Sequence, residues 1–244
     1  MSISAAISHF FNLLFGPAVT ALLNLVGVHP ANPAAPINDT FAMELLVFFC
    51  LIAFFLLVRM TLSVEKPNPA QQIAEMIHEF TGSNAEQIIG HGYERFQAFT
   101  TCIFLFIVLN NLLGLIPGIV TPTSAPVVPL GIALCTFVYY HFYGFKEQGF
   151  VGYMKHFAGP IWWIAWLLFP IEIISHCARV MSLTIRLYAN MYASDLVTLA
   201  FFSLIPVGIP AIFLGLHAGV SLIQSYVFML LAMIYLSQAV AHEH

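Results

Sequence analysis

Long apolar segments constrain the fold of this 244-residue chain more than any other feature of its sequence. Hydrophobic residues make up 60% of it and charged residues only 7%, whereas about a quarter of the residues in a soluble domain are charged. A helix needs about 20 apolar residues to cross the hydrocarbon core of a bilayer. The sequence therefore predicts an all-α polytopic membrane protein with one membrane domain, residues 37–244. About five membrane helices are expected, at residues 41–62, 96–116, 127–145, 161–204 and 209–240.

Two other segments are expected to lie at the membrane surface. In the N-terminal segment, residues 1–36, polar side chains share one side of a helical wheel, which favours an interfacial helix over 3–28, with a true span as the alternative. Residues 69–90 begin with a proline suited to the first position of a helix. Their apolar and acidic side chains lie on different faces, which predicts an amphipathic surface helix.

Basic residues indicate the orientation of the chain. If the spans alternate, one side of the membrane holds Arg59, Lys66, Arg95, Lys146 and Lys155, and the loops on the other side hold no Lys or Arg. By the positive-inside rule the basic side is cytoplasmic or its organellar equivalent, so the C-terminus is inside. Seven Lys and Arg in all make no basic patch, which excludes nucleic acid as a partner.

The 161–204 segment contains an unusual set of polar residues. From residue 161 to residue 235 only four residues are acidic or basic: Glu172, Arg179, Arg186 and Asp195. An arginine near the bilayer centre costs at least about 2.5–3.5 kcal/mol on insertion scales, so it normally has a task and a partner. At about 100° per residue, several polar residues fall within about 40° of Arg186 on one helix face. They are Glu172, Ser175, Arg179, Ser182 and Asn190.

The last two membrane segments are expected to form a long, tilted antiparallel hairpin, because the first of them exceeds a minimal span. This hairpin brings His217 near the level of Asp195, on the non-cytoplasmic side of Arg186. Glu172 lies about 21 Å from Arg186 toward the cytoplasm. The pattern favours two ion pathways that do not join, an inner one past Glu172 and Ser175 and an outer one past Asp195 and His217.

The arginine between the two pathways would repel a proton and attract a carboxylate, whose pKa an opposite charge lowers by about 1–3 units. No third carboxylate in the spans is expected to serve that role, so the partner acid is expected from another subunit. Structural roles are the alternative: Arg186 could pair between helices, Arg179 with Glu172 or Ser175, and His217 could be a satisfied buried histidine.

Several motifs together resemble a known family. IRLYANM at residues 185–191 is followed by Asp195, and the last helix carries Gln224, Tyr226, Phe228 and Tyr235. Upstream, LNNLLGLIP includes Asn111 and FPIEIIS includes Glu172. Over roughly residues 37–241 the chain resembles the membrane-embedded subunit a of F-type ATP synthases. Ala189 stands where that family commonly has glycine, and Asp195 where glutamate is frequent.

The resemblance implies a stator subunit without catalytic chemistry of its own, packed against a c-ring of small hairpin subunits that carry carboxyl groups. By similarity, Arg186 would face the ring carboxylates and block direct proton leakage. The outer half-channel would be lined by Asn190, Asp195, His217 and Gln224. The inner half-channel would be lined by Glu172 and Ser175. Tyr235, Asn111 and Arg179 are secondary candidates.

The resemblance also implies partners and a location. The expected partners are the c-ring, the peripheral-stalk subunit b, the remaining ATP synthase subunits and the lipid bilayer. Neither a cofactor nor a metal site is expected. The expected location is a bacterial plasma (inner) membrane, with an organellar energy-transducing membrane as the alternative. His217 favours protons over sodium as the transported ion, because an imidazole changes charge near neutral pH.

A stand-alone ion channel or secondary transporter is the alternative function. Secondary transporters have inverted repeats and broken helices around a site at the midplane, and the sequence shows no internal repeat. A membrane scaffold that transports nothing is a third reading, and it leaves the polar stripe without a purpose.

Overall fold

The computed structural model describes residues 3–25, 27, 32, 35–63, 65–116, 119–158, 165–204 and 208–240. Within these ranges the chain is helical and has no strand, which confirms the all-α prediction. The helices are α1 (Ile3–Leu25), α2 (Asp39–Met60), α3 (Pro69–Ile89), α4 (Glu94–Leu113), α5 (Val127–Ala158), α6 (Ala165–Leu204) and α7 (Ile209–Val240). A short 3₁₀ turn, Pro122–Ser124, precedes α5. Residues 161–164, the expected start of the fourth span, lie outside the described ranges, as does the side chain of Lys155.

Six of the described helices are long and apolar enough to cross a membrane, judged by length and composition. The exception is α3, whose acidic residues Glu75, Glu79 and Glu86 are exposed. The sixth candidate is α1. By length and composition, this N-terminal helix fits the alternative prediction, a membrane span.

The polar side of α1 has partners within the protein. Ile37, in the segment before α2, donates its backbone N–H to Asn12 Oδ1 at 2.9 Å. The backbone oxygen of Ile37 accepts from Asn12 Nδ2 at 2.8 Å and from Ser8 Oγ at 3.1 Å. Since these groups are satisfied by the chain itself, they do not require an aqueous surface.

Helix α5 extends beyond the expected end at residue 145. It contains a break at Gly149, whose φ of 70° and ψ of 163° suit glycine, because a residue with a Cβ rarely adopts them. After the break Tyr153 packs so closely on Gly144 that a Cβ added there would overlap the tyrosine ring. The segment after Gly149 therefore lies back against the end of the span.

The chain divides into two compact units, each made of discontinuous segments. The first unit comprises residues 1–71, 106–125 and 191–222, and the second comprises residues 72–105, 126–190 and 223–244. Both units take residues from α6 and from α7. In the first unit, α1 packs on α2 around buried Phe11, Ile37 and Ala42.

The second unit has two buried clusters. One is formed by Phe96, Tyr140, Leu236 and Ala239, and the other by Ala85, Met229 and Met233. The amphipathic helix α3 joins this unit through polar contacts as well as apolar ones. Thr81 hydrogen-bonds Thr101 at 2.8 Å, and Tyr226 donates to Asn84 Oδ1 at 3.0 Å.

Candidate functional site

Asp195 and His217 lie together in the first unit. His217 Nδ1 is 3.6 Å from Asp195 Oδ1 and 2.7 Å from Ser194 Oγ. The histidine is buried, with 1% of its surface exposed. One turn away, Ser221 Oγ contacts Met191 Sδ at 3.8 Å. Met191 of α6 contacts Ser221 of α7, and the later residue Asp195 contacts the earlier residue His217. The two helices are therefore antiparallel here, as the sequence predicts.

The second ring nitrogen of His217 indicates which proton the imidazole carries. Nε2 lies 3.4 Å from the backbone oxygen of Asn111. A carbonyl oxygen only accepts hydrogen bonds, so Nε2 carries hydrogen in this arrangement. Nδ1 of the neutral ring then accepts from Ser194, and in the imidazolium form it can donate toward Asp195. The geometry suits proton exchange between the imidazole and the carboxylate.

A hydroxyl-rich turn, residues 121–124, holds this pair from the other side. Thr121 Oγ1 donates to Asp195 Oδ1 at 3.2 Å. Thr123 Oγ1 donates to Asn111 Oδ1 at 2.6 Å, and Asn111 Nδ2 contacts the backbone oxygen of Ser221 at 3.4 Å. Asn111 thus connects the turn to α7. Sequence reasoning missed the two threonines because the turn is uncharged and far from α6 in sequence.

A cavity of about 620 Å³ opens beside Asp195 and His217. One water molecule needs only about 10–15 Å³, so the cavity has room for many. Its polar lining comprises Ser4, Asp39, Thr121, Ser124, Asp195, Thr198 and His217. Asp39, at the start of α2, is a second carboxylate on this cavity that the sequence did not single out.

The second unit contains a different polar cluster around His176. Its Nε2 lies 3.3 Å from Glu172 Oε1, and its Nδ1 lies 2.8 Å from the Tyr140 hydroxyl. A small cavity of about 30 Å³ is lined by Tyr140, Tyr153, Glu172, His176, Arg179, Tyr235, Gln238 and Ala239. Glu172 lines this cavity, whereas the residue of α6 beside it is His176 rather than Ser175. His176 escaped notice because it lies about 80° from Arg186 on the helical wheel, outside the polar stripe.

Arg179 and Tyr235, two secondary candidates, are brought together in the same cluster. The guanidinium carbon of Arg179 lies 5.0 Å from the centre of the Tyr235 ring, a cation–π contact. Beyond the Gly149 break, burial raises the pKa of Tyr153 to about 12, against the opposing effect of Arg179. The Tyr153 hydroxyl therefore stays protonated at neutral pH.

Arg186 has little support from its own unit. Its Nη2 donates to Ser182 Oγ at 3.3 Å, one turn earlier in α6. No carboxylate of the described residues in this unit forms an ion pair with it, and Glu172 pairs with His176 instead. Asn190, one turn further along α6 on the same side as Arg186, is exposed, so the described residues of this unit leave that part of the helix uncovered.

Asn190 and Gln224 form a pair in the same unit as Arg186. Asn190 Nδ2 donates to Gln224 Oε1 at 2.9 Å, and Gln224 is buried while Asn190 is exposed. The four residues expected at the outer half-channel therefore occur as two pairs, Asn190 with Gln224 and Asp195 with His217. Helix α2 carries a further carboxylate, Glu44; that no carboxylate of the spans serves as the partner of Arg186 stays a prediction.

Gly114→Ala is expected to disturb the Asp195 cluster. A Cβ at residue 114 would overlap Thr121 Oγ1 and come within 3.1 Å of Thr121 Cβ. Overpacking of this kind costs about 1–3 kcal/mol, and here the strain falls on the side chain that bonds Asp195. We expect the purified Gly114→Ala variant to unfold at a lower temperature than the native protein.

The double variant Gly114→Ala/Thr121→Ala provides the matched control. Alanine at residue 121 removes the overlapping hydroxyl, so the double variant is expected to unfold at the same temperature as Thr121→Ala alone. Steric conflict between the two residues would be contradicted if the two losses simply added.

Comparisons with known proteins give consistent matches. A family model described as ATP synthase A chain matches residues 41–237. ATP synthase subunit a of Koribacter versatilis (strain Ellin345) is 52% identical over 235 residues, which cover 96% of this chain and 96% of that protein. ATP synthase subunit a of Solibacter usitatus (strain Ellin6076) is 44% identical over 234 residues, covering 96% and 100%. The subunit of the same name from Geobacter sulfurreducens is 36% identical over 206 residues, covering 84% and 89%.

Proposed function

Because this chain belongs to the ATP synthase A chain family, we propose that it is the proton-translocating stator subunit of an F-type ATP synthase. It is a multi-pass membrane protein, and in this role it performs no bond-making chemistry of its own. It supplies two aqueous half-channels to the carboxyl groups of a c-ring, with Arg186 between them.

The observation that carries the proposal is the missing ion-pair partner of Arg186 within the described part of its unit. Its guanidinium has a serine contact and no carboxylate partner among the described residues of its unit. A charge inside a membrane is costly unless it is paired or reaches water. An acid on a neighbouring subunit satisfies this need, and a rotating series of such acids makes the pairing repeatable.

The two polar clusters support the half-channels. Asp195, His217 and the adjoining cavity are suited to the outer pathway, since an acid and an imidazole at 3.6 Å can exchange protons with water. The Glu172 cluster is suited to the inner pathway. Arg186 lies between Glu172 and Asp195 in the sequence of α6, so a proton entering by one pathway must transfer to the ring carboxylate before it leaves by the other.

The positions of the basic residues support an orientation with the C-terminus in the cytoplasm. The bacterial relatives support the plasma (inner) membrane as the location. In that orientation the c-ring packs on the arginine-bearing face of α6, and the peripheral-stalk subunit b holds the chain against rotation.

Cysteine cross-linking tests the predicted contact with the ring. Asn190 and Met181 are both exposed and lie about 180° apart on the helical wheel of α6. We expect Asn190→Cys to form a disulfide with a ring subunit that carries a cysteine beside its carboxylate, and Met181→Cys to form little or none. The native thiols Cys50, Cys102, Cys135 and Cys177 are free and exposed, so they are first replaced by alanine.

The measurement is the yield of the cross-linked product in membranes that hold the whole complex. A product that depends on Asn190→Cys supports the stator role. Equal yields from both faces, or none from Asn190→Cys, would contradict it and favour a stand-alone channel or transporter.

A further inference from the structure

We infer that His176 is a proton-carrying residue of the inner pathway, where it exchanges protons between Glu172 and water in the small cavity beside Tyr140. This inference rests on the proposed function and deepens it, since it concerns the route by which protons travel between the cytoplasm and the ring.

The contacts of His176 use both nitrogens of its ring. Nε2 lies 3.3 Å from a carboxylate oxygen of Glu172, and Nδ1 lies 2.8 Å from the Tyr140 hydroxyl. Only 7% of the residue is exposed, so the ring is held by the packing of α5 and α6. An imidazole placed between an acid and a hydroxyl can accept a proton on one side and release one on the other.

The neighbouring cavity supplies the next proton acceptor. Its volume of about 30 Å³ exceeds the about 10–15 Å³ that one water molecule needs. Its lining is polar enough to bind that water, because it includes the carboxylate of Glu172 and the hydroxyls of Tyr140 and Tyr153. A bound water there lies against the imidazole and the acid together.

The transfer then has two balanced steps. Protonated Glu172 gives its proton to the neutral imidazole, which leaves a carboxylate and an imidazolium. The imidazolium gives one of its two N–H protons to the cavity water, which leaves a neutral imidazole and a hydronium ion. The reverse order carries protons toward the ring.

Charged groups of both signs lie around His176. Among the described side chains, the ionisable groups that face it or line the cavity with it include Glu172 and Arg179 of α6, Tyr140, His141 and Tyr153 of α5, and Tyr235 of α7. The carboxylate of Glu172 stabilises the imidazolium, and the guanidinium of Arg179 opposes it. A proton carrier needs this balance, because a permanently charged or permanently neutral ring transfers nothing.

Ser175 is a poorer candidate for this step. A hydroxyl can relay a hydrogen bond but does not hold an extra proton near neutral pH, whereas an imidazole with an ordinary pKa of about 6.5 does. Ser175 also does not line the cavity.

His176→Gln tests the inference in the complete ATP synthase of inverted membrane vesicles, where the inner pathway opens to the bath. Glutamine keeps hydrogen-bonding groups near Glu172 and Tyr140 but cannot carry the proton. We expect ATP-driven proton uptake to fall about tenfold or more, since positioned acid–base groups contribute about 10²–10⁴-fold. The uptake rate of the variant, divided by that of the control, should also change between about pH 6 and 8, the range in which an ordinary imidazole changes charge.

His91→Gln is the matched control, because it removes an imidazole that is exposed in the turn between α3 and α4 and does not line this cavity. We expect this control to pump near the wild-type rate. Imidazole added to the bath should restore part of the uptake lost in His176→Gln and leave the control unchanged. Rescue of this kind supports proton carrying, because a purely structural defect does not respond to it.

Three outcomes overturn the inference: uptake equal to that of the control at every pH, an unchanged pH profile, or a loss that imidazole does not relieve in a fully assembled complex.

If His176→Gln fails to assemble, Tyr140→Phe takes its place. We then expect a severalfold loss of uptake, and an unchanged rate counts against the inference. Arg186→Ala in the same vesicles separates the two levels. If Arg186→Ala pumps normally, the proposed function is refuted. If Arg186→Ala loses pumping while His176→Gln pumps normally, only the present inference is refuted.

Discussion

Arg186→Ala is expected to abolish ATP-driven proton pumping in inverted vesicles while the ATP synthase remains assembled. Under the proposed function, alanine removes the positive charge that separates the two half-channels and attracts the ring carboxylates. Loss of one preorganised electrostatic group at a reacting centre costs about 10²–10³-fold, and we expect at least that reduction in the pumping rate. The measurement is the quenching of a pH-sensitive dye on addition of ATP, with subunit content checked in the same membranes.

Arg95→Ala is the matched control for charge removal. Arg95 is exposed and pairs with Glu147 at 2.8 Å, and an exposed pair of this kind is worth about 0–1 kcal/mol. Pumping by this variant should stay near the wild-type rate. Assembled Arg186→Ala complexes that pump normally would show that the arginine has only a structural role.

Asp195→Asn is expected to reduce ATP synthesis driven by an imposed proton gradient by about 10²-fold, the lower end of the contribution of a positioned acid–base group. Asparagine keeps an oxygen that can accept from Thr121, so the cluster should retain its geometry while losing the group that exchanges protons with His217. Synthesis is the sensitive direction, because protons then enter through the outer cavity.

Glu79→Gln controls for the loss of a carboxylate. Glu79 is exposed on the amphipathic helix α3, and we expect its replacement to leave the synthesis rate unchanged. Full synthesis by Asp195→Asn would remove Asp195 from the pathway, and the other carboxylate on the cavity, Asp39, would become the first residue to examine.

Most of the helical architecture could be predicted, because a membrane span is encoded locally by length and hydropathy. The helix α3 could be predicted from its separate apolar and acidic faces, and its position at the membrane surface stays a prediction. For α1 the sequence left a span and a surface helix both open, because Asn12 looks like part of an aqueous face and its bonds to Ile37 cannot be read from the sequence. Such contacts join residues distant in the chain, and helical periodicity does not reveal them.

The candidate site was predictable where one helix or one hairpin positions it. The register of the α6–α7 hairpin was sufficient to bring His217 to Asp195. Thr121 and His176 were missed for different reasons. Thr121 reaches Asp195 across 74 positions of the sequence, and the importance of His176 depends on Tyr140, contributed by a different helix. A helical wheel represents one helix, so it shows neither of these contacts between segments.

Under the proposed function, the lack of a carboxylate partner for Arg186 among the described residues of its unit also bears on the biogenesis of the complex. A newly inserted chain that has not met a ring must solvate the Arg186 guanidinium with lipid headgroups or water drawn into the bilayer, and both distort the surrounding lipid. Joining the ring removes that distortion. The unassembled chain is therefore the less stable state, and a cell that makes it in excess would need to degrade the orphan copies.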